Sequence, residues 1–280
     1  MTPVDENRVI AFSRYIMKTF YFPVNTRDLK AAALAAIDSA DSPGDAAALA
    51  QAAMSAVVNS LGHGARFLTT LGADYPAPGT SGGPQTREIA SMRIVALPTM
   101  NVSDPNIRRT CADFEPYFDA KSTDGLSGFV LDLRGNEGGP LSDSSCLAGF
   151  FIKNGQTVFL TLSKQGALVK YESEAPGRKP INLPIVVLVD KRTDGAALLV
   201  AAVLQSQKHA LVIGEQKGSI NDGVSSLVFP PGVNRGVVLP TGEILLADKH
   251  PLASGFHVDV TMAAQDDTGL LNAARAYLVR

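Results

Sequence analysis

The sequence is poor in cysteine, with two, Cys111 and Cys146, in 280 residues. Two cysteines cannot build a disulfide scaffold or a four-cysteine zinc site. They leave either one disulfide in an oxidising compartment or two buried thiols acting as small hydrophobes, and the sequence alone favours the second. Histidine is scarce too. His63, His209, His250 and His257 are scattered. None pairs at helical metal spacing, and His250 and His257 lack an acidic third ligand at a recognisable interval, so no metal site and no cofactor is expected. No apolar run approaches the roughly 18 residues of a membrane-spanning helix. Charge of one sign is also missing. Lys and Arg number 25 against 27 Asp and Glu, a net charge of −2, which leaves no electrostatic footprint for a nucleic acid or an anionic membrane. The stretch Met1-Thr2-Pro3-Val4-Asp5-Glu6-Asn7-Arg8 is too charged for a signal peptide. The chain therefore reads as cytoplasmic, or as one that starts after a removed leader.

Apolar residues are plentiful. With 45% hydrophobic and 19% charged residues, the composition is that of a packed globular chain, one large domain or a core with an appendage. Thr2 as N-cap, Pro3 at the first helical position and the stripe Val9, Ile10, Phe12, Ile16, Met17, Phe20 predict a first helix. A second is expected from Asn25 or Thr26 through Leu29, Ala33, Leu34 and Ile37, broken by Ser39–Asp45. A third is expected from Ala46 to Leu61, stopped by Gly62. Residues 1–72 thus form an N-terminal helical subdomain, and 73–86, rich in Pro and Gly, a linker. In residues 87–280 strands alternate with helices, the pattern of an α/β layer fold. Strands are expected at Glu88–Leu97, Gly128–Leu133, Leu183–Val189 and Ala210–Ile213. Helices are expected at Asn106–Lys121, Leu141–Phe151, Gly195–Gln207 and Asp267–Val279. A hairpin is expected from Gln156–Leu162 and Ala167–Ser173.

Two segments bear on chemistry. Gly79-Thr80-Ser81-Gly82-Gly83 matches the G-x-S-x-G elbow, but the elbow needs a strand before its Ser and a helix after it. Here the Ser sits in the linker, and the match reads as linker sequence. In Leu131-Asp132-Leu133-Arg134-Gly135-Asn136-Glu137-Gly138-Gly139 a buried strand runs into a Gly-Gly turn and then a helix. Such a turn can aim backbone N–H groups at an anion or a developing oxyanion.

On these residues the chain resembles the S41 peptidases, the C-terminal processing or tail-specific proteases. Gly128–Gly139 is similar to that family's strand and oxyanion turn. Val186–Gln205 is similar to its strand and nucleophile helix, and Ala210–Glu215 to the strand before its lysine loop. Gly255-Phe256-His257-Val258-Asp259 is similar to its closing motif, and Gly62–Thr69 to the end of its N-terminal helices. The resemblance implies a crotonase/ClpP-like α/β core and, as ligand, an extended peptide or protein terminus. It also implies an extracytoplasmic setting, periplasmic or secreted, and a core of a kind that often forms homo-oligomers. The 73–86 linker is too short for the PDZ domain that the family commonly carries there.

The same resemblance puts the nucleophile position on Gly195, in Thr193-Asp194-Gly195-Ala196, and the general-base lysine position on Ile220, in Gly214-Glu215-Gln216-Lys217-Gly218-Ser219-Ile220. Neither residue can do that chemistry. Thr193, Lys217 and Ser219 are the candidate substitutes nearby. The oxyanion or peptide-binding positions are Gly138, Gly139, Gly195 and Ala196, with Asp194 expected to cap the helix. The sequence therefore reads as a non-catalytic, peptide- or partner-binding member. An active serine endopeptidase with a non-standard nucleophile is the first alternative, and a structural or oligomer-forming member the second.

Overall fold

The computed structural model describes residues 3–40, 45–62, 64–67, 84–98, 100, 114–118, 123–174, 179–216, 218, 220, 223–231, 233 and 236–279. Of the expectations above, the Gly79–Gly83 match, His63, Lys217 and Ser219 fall outside these residues. The chain divides into two compact units. The first comprises Met1–Ala77, Leu162–Leu168 and Gly223–Glu243, and the second Pro78–Thr161, Val169–Asp222 and Ile244–Arg280.

In the first unit, helices α1 (Pro3–Thr19), α2 (Thr26–Asp38) and α3 (Ala46–Ser60) form where the apolar stripes predict them. Asn25 Oδ1 accepts the Arg27 N–H at 3.0 Å and Asp45 Oδ1 accepts those of Ala47 and Ala48 at 2.9 and 3.1 Å, satisfying N–H groups the helices cannot. Phe12 and Ile16 of α1, Phe20 just after it, Leu29 of α2 and Met54, Val57 and Val58 of α3 make one core with Val237 and Leu239. Ile10 and Leu34, read as core from their spacing, lie about half exposed at 47% and 50%. The apolar stripe is narrower than the pattern suggests. Val237 and Leu239 belong to β10 (Val237–Leu246), which pairs antiparallel with β1 (Arg66–Phe67) and β9 (Gly223–Val228). The unit is thus not one stretch of chain, since it takes in 162–168 and 223–243, which a boundary at residue 87 does not assign to it.

The second unit is built on a six-stranded sheet in the order β11-β8-β7-β4-β3-β2. Its strands are β2 (Gln85–Ile89), β3 (Met92–Ala96), β4 (Gly128–Asp132), β7 (Ile185–Val189), β8 (Leu211–Gly214) and β11 (Val260–Thr261). Every neighbouring pair is parallel except β2–β3. The single strand expected over Glu88–Leu97 is in fact a hairpin, β2 and β3 turning at Ala90 and Ser91. Both turn residues have positive φ, 48° and 63°, and neither is the Asn or Gly that announces such a turn. Thr86, expected in the linker, lies in β2. Of the helix expected over Asn106–Lys121, the described part is a 3₁₀ turn at Glu115–Tyr117. The predicted hairpin is present as β5 (Thr157–Ser163) and β6 (Leu168–Glu172), neighbours in a second sheet of order β1-β10-β5-β6 with β9 on β10.

The remaining helices among the described residues are α4 (Leu141–Ala148), α5 (Gly195–Lys208), α6 (Leu252–Gly255) and α7 (Asp267–Leu278). Met92, Ile94, Val130, Val186 and Leu188 pack on Leu270, Ala274 and Leu278 of α7. Side chains alternate along a strand, so these even-numbered positions face α7, and α5 packs on the opposite face. Cys146 of α4 is disulfide-bonded, which corrects the reading of two free thiols. The chain's one other cysteine, Cys111, lies outside the described residues.

Candidate functional site

Two turns meet at the carboxyl ends of β4 and β7, where ligands of parallel α/β sheets bind. The first, Leu133–Gly139, follows β4. The second, Asp190–Ala196, joins β7 to α5. Buried Asn136 joins them: its side-chain NH₂ donates to the Leu97 carbonyl at 2.8 Å, its Oδ1 accepts the Gly138 N–H at 3.0 Å, and its carbonyl accepts the Asp194 N–H at 3.0 Å. Asp190 braces the turns from below. Its Oδ1 accepts the N–H groups of Gly135 (2.9 Å), Arg192 (3.0 Å) and Thr193 (3.0 Å), and lies 3.1 Å from the Thr193 hydroxyl.

Gly195 opens α5 at φ +51°, a left-handed backbone that side chains adopt only under strain. A Cβ built there meets nothing nearer than the Glu137 carbonyl oxygen at 3.6 Å. The position has the strained strand-to-helix geometry of a nucleophile elbow, with space for a side chain and none in it. Gly138 is its opposite. At φ +98°, a Cβ there would stand 2.9 Å from both the Ala196 nitrogen and the Asp194 carbonyl oxygen, so glycine is required for the two turns to touch.

The expected donors divide. Gly138 departs from expectation, because its N–H is committed to Asn136. The N–H groups of Gly139 and Ala196 have no acceptor among the described residues. Asp194 caps the helix, its Oδ1 accepting the Gly195 N–H at 2.9 Å, and this carboxylate offsets part of the helix-terminus field. Buried Ser144 of α4 donates to the Ala196 carbonyl at 2.9 Å, fixing the first turn of α5.

Of the candidate substitutes, Thr193 is fully buried. Its hydroxyl lies 3.0 Å from the Leu133 carbonyl oxygen and accepts the Asp190 N–H at 3.0 Å. It holds the turn together. Ile220, where the resemblance led the base to be expected, is half-buried and carries no titratable atom.

Three residues of this region were not singled out by sequence reasoning. Asn136 and Asp190 are the hubs of the two turns, and Asp190 follows a wholly apolar strand, where an acid needs a local reason to be. Arg134 donates to both Asp132 oxygens, to the Ala264 carbonyl and to Asp267, two of these contacts being 2.6 Å ion pairs. Hydrogen bonding to Asp132 raises its pKa above the usual arginine value, against the effect of burial. Asp259, closing the Gly255–Asp259 motif, accepts the Val212 N–H at 2.8 Å and the Gln205 side-chain NH₂ at 2.9 Å. It clamps the C-terminal segment to β8 and α5. Among the described residues no group of His, Cys, Asp and Glu is placed to hold a metal ion.

The chain is 33% identical over 119 residues, 42% of its length, to the carboxy-terminal-processing protease of Bartonella bacilliformis, and the match spans 27% of that relative. The chain therefore aligns with about a quarter of this curated relative's length. A putative peptidase from Parabacteroides merdae shares the fold at a TM-score of 0.70 and 16% identity, over 99% of this chain and 97% of that one. A lipoprotein from Streptococcus agalactiae does so at 0.68 and 12%, over 100% and 97%. The model of peptidase family S41 matches residues 91–262, which hold both turns and every strand of the larger sheet but β2: the chain belongs to peptidase family S41.

Proposed function

We propose that this S41 chain binds an extended peptide or protein terminus without cleaving it. The observation that carries the reading is Gly195. The resemblance aligns it with the nucleophile, the backbone there keeps an elbow's strained geometry, and no side-chain oxygen is present to attack a carbonyl. Ile220 offers no base, and the Thr193 hydroxyl is committed to its own turn.

What supports binding is what remains. The Gly139 and Ala196 N–H groups have no acceptor among the described residues and can be given to a main-chain carbonyl or a terminal carboxylate, and an extended segment can add its own backbone hydrogen bonds along a strand. A relative named for carboxy-terminal processing makes a chain terminus the ligand class to try first. The disulfide at Cys146 fits an oxidising, extracytoplasmic compartment.

The test is fluorescence anisotropy with a library of labelled peptides, each made with a free and an amidated C-terminus, and with mass spectrometry of the recovered peptides. The expected result is saturable binding of intact peptide that weakens in Ala196→Pro, which deletes one N–H in a first turn where proline is tolerated. No peptide bound, or bound peptides recovered cut, would overturn the reading.

A further inference from the structure

A cavity on the other face of the sheet borders the same Asp190 that braces the two turns. It holds about 310 Å³, in the size range of small-molecule sites. It lies beyond the carboxyl ends of β3, β4 and β7. Ala96, Asp132 and Asp190 line it, and all three continue the even-numbered rows that face α7, away from α5 and Gly195. Pro98, Arg134, Gly135, Ala264 and Gln265 form the rest of its lining, and it opens to solvent.

Apart from the neutral side-chain amide of Gln265, the unspent groups of these walls have one sign. Arg134 is spent: its Nε and Nη2 donate to Asp132 and its Nη1 to the Ala264 carbonyl and Asp267. The Gly135 N–H is spent on Asp190. Asp132 has its counter-charge in Arg134 at 2.6 Å. Asp190 does not. All four of its donors converge on Oδ1, while Oδ2 accepts nothing and no cation pairs with the carboxylate among the described residues. An Asp–Arg pair plus a lone carboxylate leaves the cavity one negative charge in excess. An anionic ligand would meet no free cation there, and an apolar one would strand the carboxylate.

We propose that this cavity is a second binding site, for an alkylammonium or guanidinium group held by Asp190 Oδ2. The cation arrives either as a small free amine or as a basic side chain of a bound peptide. Because Asp190 Oδ1 carries the N–H groups of the turn that leads into Gly195, an occupant of this cavity touches the residue that braces the peptide-binding turn from the opposite face. The site is distinct from Gly139 and Ala196 and does not depend on whether they bind peptide.

The test follows backbone amide shifts of Gly135, Asp190 and Ala264 in the labelled full chain. It uses agmatine as the free cation, an uncharged control of similar size (N-butylacetamide), and a short peptide with one arginine. The expected result is a saturable, salt-weakened shift with agmatine and none with the neutral compound. Asp190→Asn, whose amide oxygen keeps the Oδ1 contacts, loses affinity about tenfold or more. Ala264→Leu, which fills the cavity without touching a charge, abolishes the shift. Binding of the arginine peptide alone, with the same losses, supports the site and assigns the cation to a side chain. Binding of neither cation, equal binding of the neutral compound, or shifts that survive Ala264→Leu would overturn it.

Discussion

A Cβ on Gly138 would stand 3.2 Å from the Cα of Gly195, whereas a Cβ on Gly195 meets Gly138 no nearer than 3.7 Å. The two glycines touch, yet only one of them is required by the packing. Gly138→Ala combines a positive φ with backbone clashes at 2.9 Å, and is expected to cost about 3 kcal/mol or more. Gly195→Ser has room and pays only the backbone strain, about 1–2 kcal/mol. Urea unfolding of the two variants checks the ranking. Equal costs would mean that the two turns do not approach as described.

Asn136 serves Leu97 and Gly138 from a fully buried position. Asn136→Ala leaves a buried carbonyl and a buried N–H without partners, each worth about 1–3 kcal/mol. The expected loss is about 2–4 kcal/mol in chemical denaturation, with peptide binding weakened in whatever protein stays folded.

Much of the fold was legible because periodicity and punctuation agree in it. Asn25 and Asp45 sit where caps belong, and the run Ile185–Val189 is apolar throughout, as a strand buried on both faces must be. The β2–β3 hairpin was not legible, since Ala90 and Ser91 carry no turn signal. Neither was the joining of Val237 and Leu239 to the helical core, because a long-range pairing leaves no local trace. At the site, the resemblance singled out Gly138, Gly139, Gly195 and Ala196. It could not tell which N–H groups were already spent, because that depends on where the Asn136 side chain turns. The Asp190 hub was missed for the same reason: four donors from two loops converge on one oxygen only in the fold.

Glu215 titrates below the usual carboxylate range, chiefly through its hydrogen bond with Lys191 at 3.0 Å. A depressed folded-state pKa stabilises above the unfolded value and is lost as pH falls through the folded one. Stability is therefore expected to decline as pH drops below about 4.3. Glu215→Gln should flatten that limb in melts recorded across acidic pH, by bringing the neutral melting temperature down slightly while the acid one stays as in the unaltered chain. An unchanged acid limb would contradict the ion pair.

Reduction of the Cys146 disulfide is expected to lower stability by about 2–4 kcal/mol, read as a fall in melting temperature on adding a thiol reductant. Intact mass after alkylation without reductant should show neither cysteine modified.

The most direct test of the central claim incubates the unaltered protein with an unstructured casein-type substrate and a fluorophosphonate probe, beside the Gly195→Ser/Ile220→Lys double variant. Mass spectrometry then reads fragments and label together. The account predicts intact casein and no labelled serine for the unaltered chain, with weak cleavage and label at position 195 in the double variant. Casein fragments from the unaltered chain, with one serine labelled and both lost on its replacement by alanine, would contradict it and make the protein an active peptidase.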